Sequence, residues 1–93
     1  MIEVDEKGKA ALIEVEDNET NKYYAWHKTA PIGTVIQVTY PFNSKIVYVK
    51  ITGQLASQGN DDILIKISKA GAEKLGAIDK EFDVNLLYGI NKK

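Results

Sequence analysis

His27 is the only histidine in the chain, and its imidazole is the first side chain to consider for chemistry. Imidazole titrates near neutral pH, so it can take or give a proton in a general acid–base step. The neighbouring sequence offers no carboxylate that would orient or charge it. The competing prediction is that His27 forms hydrogen bonds to the adjacent turn and holds it in place.

Two carboxylates, Asp61 and Asp62, follow Gly59 and Asn60 in a polar loop. This composition is typical of calcium loops, but the further spaced ligands and the distal glutamate of an EF-hand are missing. Loop formation therefore explains these residues better than metal binding does. No motif in the sequence predicts a metal site, a phosphate loop or a bound cofactor.

Several aromatic side chains could form a surface on which sugar rings stack. Aromatic faces bind the apolar faces of sugars, whereas the polar tips of Tyr and Trp stay in water. The alternative is that some of these rings fill the protein core. Tyr48 is the best candidate for exposure, because it alternates with apolar neighbours. The aromatic residues in question are Tyr23, Tyr24, Trp26, Tyr40 and Tyr48.

The length and composition predict one domain over residues 1–93, with a core of aliphatic side chains. The chain has no cysteine, and 44% of its residues are apolar. A net charge of −1 argues against a general nucleic-acid binder or a binder of anionic membranes, because both need a basic excess. We therefore expect no nucleic-acid partner.

The amino terminus, MIEVD, is acidic and lacks the apolar stretch of a signal peptide. No run reaches the roughly 18 apolar residues of a membrane span. The chain is then either cytoplasmic or one domain of a longer exported protein, which would be periplasmic or extracellular. Residues 1–8 and 90–93 are predicted to be loose ends, although residues 1–8 could also form an edge strand.

Short runs of alternating apolar residues predict an all-β fold, a small six-stranded barrel with one short helix. The helix is expected over about residues 69–75, because Ser68 is a good N-cap and Gly76 suits the position after the last turn. A faint internal repeat, in which Lys28 and Val38 recur as Lys74 and Val84, is typical of two interlocked halves. The residues predicted to face inward are Val47, Val49, Ile51, Ile63, Ile65, Ile67, Phe82, Val84 and Leu86.

The segment AWHKTAPIGT, residues 25–34, resembles the Thr-Ala-Ala-His-…-Leu-Pro-Phe-Gly-Thr segment of the RlpA-like double-psi β-barrels. This is the family of rare lipoprotein A, which is related to the expansins and barwin, and His27 matches its histidine. The run LIKISKAGAEKLG, residues 64–76, resembles the family's Ile-Ile-Asp-Leu-Ser helix entry, which ends in Leu-Gly. The resemblance covers roughly residues 10–88 and implies a double-psi β-barrel.

The chain departs from the family at two acidic positions. Thr52-Gly53-Gln54-Leu55 replaces the family's Asn-Asp-Arg-Gly motif, and Lys66 replaces the Asp before Leu-Ser. Family members that cleave peptidoglycan glycan strands act as lytic transglycosylases, which need a carboxyl group of raised pKa at the scissile bond. Gly53 and Lys66 cannot supply that group. The resemblance therefore implies a barrel without catalytic residues.

The implied function is that of a non-catalytic cell-envelope domain that binds peptidoglycan glycan or a wall-associated protein. One alternative is a divergent lytic transglycosylase that uses Asp61 or Asp62 with His27. Another is a structural or protein-interaction barrel, since one fold carries many functions. The binding groove is predicted to contain Trp26, His27, Gly53, Gln54 and Lys66, with Tyr48, Asp61 and Asp62 as possible secondary residues.

Overall fold

A computed structural model describes residues 2–13, 22–55 and 62–90. These residues form six strands and one helix. The elements, in chain order, are β1 (Ile2–Leu12), β2 (Tyr24–His27), β3 (Val35–Tyr40), β4 (Lys45–Gln54), β5 (Ile63–Ile67), α1 (Lys69–Leu75) and β6 (Glu81–Ile90).

The strands close into a barrel in the order β1-β5-β2-β4-β3-β6. Two pairs, β1–β5 and β2–β4, are parallel, and the other four pairs are antiparallel. Full closure leaves no unpaired strand edge. The prediction of a six-stranded all-β barrel with one short helix is confirmed.

The strand order fits the two interlocked halves that the faint repeat predicts. Exchanging β1, β2 and β3 with β4, β5 and β6 preserves every pair of neighbouring strands, with the ring read in the opposite direction, so the barrel has a pseudo-twofold arrangement. Val38 and Val84 occupy corresponding strands and are both buried. The repeat therefore reflects a topological symmetry as well as a bias in composition.

Alternation along the strands builds the core, because successive side chains point to opposite sides of a strand. All nine residues that were predicted to face inward are buried. Lys50 is exposed and Lys66 is half-buried, as expected for the outer side. Burying one apolar face of every strand gives a barrel filled by side chains.

The helix α1 begins and ends where the sequence predicts. The hydroxyl of Ser68 accepts a hydrogen bond from the backbone N–H of Gly71, at 3.2 Å, and so caps the first turn. Gly76 ends the helix with a φ of 78°, a left-handed conformation that glycine adopts without strain. The helix packs on β4 through its buried side chains, which include Leu75.

The expectation of loose ends is wrong for most of the residues concerned. Residues 2–8 belong to β1 and pair with residues 84–90 of β6 in an antiparallel ladder. The sequence obscures this strand because it is rich in charge, whereas closing the barrel requires a partner for β6. Residue 1 and residues 91–93 lie outside the described residues.

Candidate functional site

Strand β2 carries Trp26 and His27 side by side, and the two side chains lie on opposite sides of the barrel wall. The strand is only four residues long and lies between β4 and β5. Along it, burial alternates between half-buried and buried, with Ala25 and His27 inside. Because strand side chains alternate, adjacent residues of this segment cannot line the same surface.

Trp26 lies on the outside between two of the predicted site residues. It pairs with Gly53 of β4 on one side and with Lys66 of β5 on the other. A Cβ atom on Gly53 would lie 3.0 Å from Cδ1 and 3.2 Å from Nε1 of the indole. The absence of a side chain at position 53 is therefore what lets the indole pack so closely against β4.

A bulge in β4 produces this arrangement. Ala25 pairs with Ile51, but the next residue, Trp26, pairs with Gly53, so the register skips Thr52. A bulge bends the strand locally and changes the direction of the neighbouring side chains. Gln54 follows at the exposed end of β4, where it pairs with His27 and not with Trp26. We call Trp26, Gly53 and Lys66 the Trp26 surface.

His27 lies inside the barrel and is fully buried. Its Nδ1 accepts hydrogen bonds from the backbone N–H groups of Thr29, at 3.0 Å, and Ala30, at 2.9 Å. These two bonds fix the start of the turn that leads to β3, as the competing prediction for His27 states. The expectation that His27 lines a groove together with Trp26 does not match this geometry.

The second ring nitrogen of His27 meets a carboxylate that the sequence did not suggest. Nε2 lies 2.9 Å from Oε1 of Glu6 on β1. Since Nδ1 accepts two N–H bonds, the ring proton of a neutral imidazole resides on Nε2, which donates it to Glu6. The turn therefore fixes the tautomer of His27.

Tyr88 of β6 completes this buried group. Its hydroxyl donates to the same Glu6 oxygen at 3.0 Å, and its ring packs edge-on against the imidazole with centroids 5.5 Å apart. Burial, followed by the hydrogen bond and the charge of Glu6, raises the pKa of the Tyr88 phenol above 10.0, although a bond from the Thr29 side chain opposes this. We call Glu6, His27 and Tyr88 the His27 cluster.

Sequence reasoning missed Glu6 because residues 1–8 read as a loose end. One signal could have revealed it. Ile2, Val4 and Glu6 alternate with Glu3, Asp5 and Lys7, so a strand in this segment puts Glu6 on the same side as two apolar residues. A carboxylate at such a position needs a hydrogen-bonding partner, and the only imidazole in the sequence is the available one.

The remaining predicted site residues lie elsewhere. Tyr48 is 60% exposed on the outer side of β4, as predicted, and its hydroxyl lies 3.4 Å from Oε1 of Gln37. Asp62 is exposed just before β5, and Asp61 lies outside the described residues. Within residues 2–13, 22–55 and 62–90, no three His, Cys, Asp or Glu side chains converge as a metal site would require.

The arrangement separates two kinds of chemistry. The His27 cluster is a hydrogen-bonded carboxylate, imidazole and phenol, in which Glu6 alone is partly exposed, at 27% of its side chain. The Trp26 surface offers an aromatic ring beside an ammonium group. Such a surface suits stacking and polar contacts with a sugar, whereas the cluster suits internal stabilisation.

None of the helices in the described part of the chain is long and apolar enough to cross a membrane.

Comparison with known proteins gives one clear relationship. No family model matches the chain. Over 65 residues the chain is 37% identical to proteins named endolytic peptidoglycan transglycosylase RlpA from Neisseria meningitidis serogroup A and from serogroup B. The match spans 70% of this chain but only 26% of each relative. This similarity, together with the closed six-stranded barrel, identifies the chain as an RlpA-like double-psi β-barrel domain.

Proposed function

We propose that this barrel is a cell-envelope accessory domain that binds peptidoglycan glycan strands on the Trp26 surface without cleaving them. The observation that carries the proposal is the indole of Trp26, half-buried against Gly53 and next to Lys66. A ring held by its neighbours loses little conformational freedom when a sugar stacks on it. Because peptidoglycan lies outside the cytoplasmic membrane, the domain works in the periplasm or at the cell surface.

The absence of cleavage follows from the chemistry at the family's acidic positions. Breaking a glycosidic bond requires a carboxyl group that protonates the leaving oxygen. Gly53 and Lys66 stand where the family carries its acids, and neither can do this. His27 does not compensate, because its ring is buried and both of its nitrogens already have partners inside the barrel.

An NMR titration with soluble peptidoglycan fragments tests the binding proposal. We expect chemical shift changes at Trp26, Gly53 and Lys66, and a loss of these changes in Trp26→Ala. Leu64→Ala is the matched control, since Leu64 is also a half-buried outer side chain that packs on a glycine, Gly8. Changes confined to other faces, or none at millimolar ligand, would refute glycan binding here and favour a protein-interaction barrel.

A second candidate function is supported by the contact between Glu6 and His27. A carboxylate that bonds an imidazole at 2.9 Å and stays partly exposed has the parts of an acid–base pair. In that case the domain would be a divergent lytic transglycosylase that uses Glu6, rather than Asp61 or Asp62, with His27.

Product analysis separates the two candidates. Purified protein is incubated with peptidoglycan that lacks stem peptides, and anhydro-sugar products are measured by mass spectrometry. The binding proposal expects no product from the wild type. Product that disappears in Glu6→Gln but persists in Asp62→Asn would establish the enzyme instead.

A further inference from the structure

The formal charge of the chain is nearly balanced, but its distribution is uneven. Residues 22–55, which contain β2, β3 and β4, carry four lysines and no carboxylate. The opposite part of the barrel, β1 and β6, carries four exposed carboxylates and two exposed lysines, Lys7 and Lys9, so its outer side is net acidic. The exposed carboxylates there are Glu3, Asp5, Glu81 and Asp83. Among the described residues, the charge is therefore divided between a basic side and a net acidic side.

The basic side includes a continuous outer face along β4. Tyr48, Lys50 and Thr52 are exposed and alternate with the buried residues of the core. The register places Lys50 between Tyr24 of β2 and Val35 of β3. The outer face of β4 thus runs from Tyr48 through Lys50 to the Trp26 surface without an acidic side chain.

The exposed Tyr48 and the half-buried Trp26 lie at opposite ends of this face. Tyr48 precedes Gly53, the partner of Trp26, by five residues of the same strand. At about 3.3 Å per residue, less the bulge at Thr52, the rings are separated by roughly 15 Å along β4. A disaccharide does not span such a distance, whereas a tetrasaccharide does.

We propose that the outer face of β4 extends the Trp26 surface into a track for an anionic glycan strand, with Tyr48 as its second stacking position and Lys50 between the two rings. This inference rests on the proposed glycan binding and adds the length and charge of the ligand. We call Trp26, Lys50 and Tyr48 the β4 track.

The charge of the face selects the ligand. Lys50 and Lys66 are compact ammonium groups, and the strands β2, β3 and β4 around Lys50 contain no carboxylate. A strand whose sugars carry carboxylates is attracted to this side and repelled by the acidic side formed by β1 and β6. A neutral glycan of the same length gains only the stacking contacts.

If the β4 track binds the ligand, affinity should depend on ligand length. A single stacking position at Trp26 predicts no such dependence. Calorimetry compares peptidoglycan-derived disaccharide and tetrasaccharide, with neutral chito-oligosaccharides of equal length as the uncharged probes. We expect the anionic tetrasaccharide to bind about tenfold more tightly than the disaccharide, which is the contribution of one further aromatic contact. Tyr48→Ala should bring tetrasaccharide affinity down to the disaccharide value, and Lys50→Gln should reduce the preference for the anionic ligand, because Lys66 remains.

Phe42→Ala is the control, because Phe42 is an aromatic residue that is 85% exposed outside the track. Equal affinity for the two lengths, or an unchanged length dependence in Tyr48→Ala, would overturn the β4 track. If Trp26→Ala still weakens binding in that case, the proposed function stands without it. If the wild type binds none of the oligosaccharides, both the track and the proposed function fail.

Discussion

Two regions on opposite sides of strand β2, the His27 cluster and the Trp26 surface, are stabilised by different interactions. The His27 cluster inside the barrel consists of hydrogen bonds between three strands and a turn, and its imidazole has no contact with solvent. In the Trp26 surface outside, the indole packs closely against Gly53. Two neighbouring residues thus lie in different environments, His27 in a buried hydrogen-bonded cluster and Trp26 on the outer surface.

The difference follows from the geometry of a strand. Because His27 matches a family histidine and Trp26 precedes it, the sequence suggests that both belong to one site. Side chains alternate along a strand, however, so these adjacent residues point to different environments. Inside, each unpaired polar atom is costly, so the His27 cluster satisfies its groups with one another. Outside, water can satisfy the polar groups, as it can for the half-buried Lys66. Substitutions on the two sides should therefore separate a loss of stability from a loss of binding.

Replacing His27 should have the largest effect. His27→Leu leaves the N–H groups of Thr29 and Ala30 and the Glu6 carboxylate without their partner, which costs about 2–5 kcal/mol of the free energy of unfolding. Urea denaturation followed by circular dichroism measures this loss.

Two conservative variants divide the cost of losing His27. The oxygen of His27→Asn can replace Nδ1 at the turn, and the amide of His27→Gln can replace Nε2 at Glu6, so each should be more stable than His27→Leu. A His27→Leu variant as stable as the wild type would contradict the structural role of the His27 cluster.

Truncating Trp26 is expected to affect binding more than folding. Trp26→Ala should reduce affinity for peptidoglycan fragments about tenfold, the value of one stacking contact. The same variant and Leu64→Ala should lose similar amounts of stability, because both remove a half-buried side chain that lies on a glycine. Affinity is measured by calorimetry. Equal weakening of binding by the two variants would mean that Trp26 acts through the fold alone.

Gly53→Ala, which adds one methyl group to the Trp26 surface, should change the affinity less than Trp26→Ala does. The Cβ of Gly53→Ala would lie 3.0 Å from the indole, so the ring must shift, and we expect a few-fold loss of affinity with a change in tryptophan fluorescence. Gly8→Ala, which crowds Leu64 in the other parallel pair, controls for a general loss of packing. An unchanged emission spectrum in Gly53→Ala would show that the indole does not depend on this contact.

Tyr88→Phe should have the smallest effect of these substitutions. It should lower the free energy of unfolding by an amount that depends on pH. Removing the hydroxyl deletes one hydrogen bond to Glu6, worth about 0.5–1.5 kcal/mol. Because burial and Glu6 raise the pKa of folded Tyr88 above 10.0, its contribution is complete below pH 10.0 and is lost as the pH rises through the raised value.

The pH profile therefore has a definite sign. The difference in free energy of unfolding between the wild type and Tyr88→Phe should fall as the pH increases above 10.0. Denaturation at a series of alkaline pH values measures this difference. Glu6→Gln serves as a second background, in which the decline should be smaller, since the carboxylate contributes to the raised pKa. A difference that grows with pH would contradict the placement of Tyr88.

Local patterns in the sequence predicted most of the fold. Alternation of Val47, Val49 and Ile51 identified a strand with one buried side, and Ser68 and Gly76 marked both ends of the helix. These features depend only on neighbouring residues and on the period of each element. The family was also predicted from the sequence, because the residues of the turn motif around His27 are close together in the chain and can be compared directly with the family's motif.

Long-range contacts decided the composition of the site. Pairing across the barrel brought Gly53 and Lys66 to either side of Trp26, as the family positions suggested, but turned His27 inward. The same closure joined Glu6 to a histidine 21 positions away and to Tyr88, 82 positions away. Neither separation leaves a periodic trace in the sequence. Only the closing of β1 onto β6 places these groups within hydrogen-bonding distance, and burial then requires that they satisfy one another.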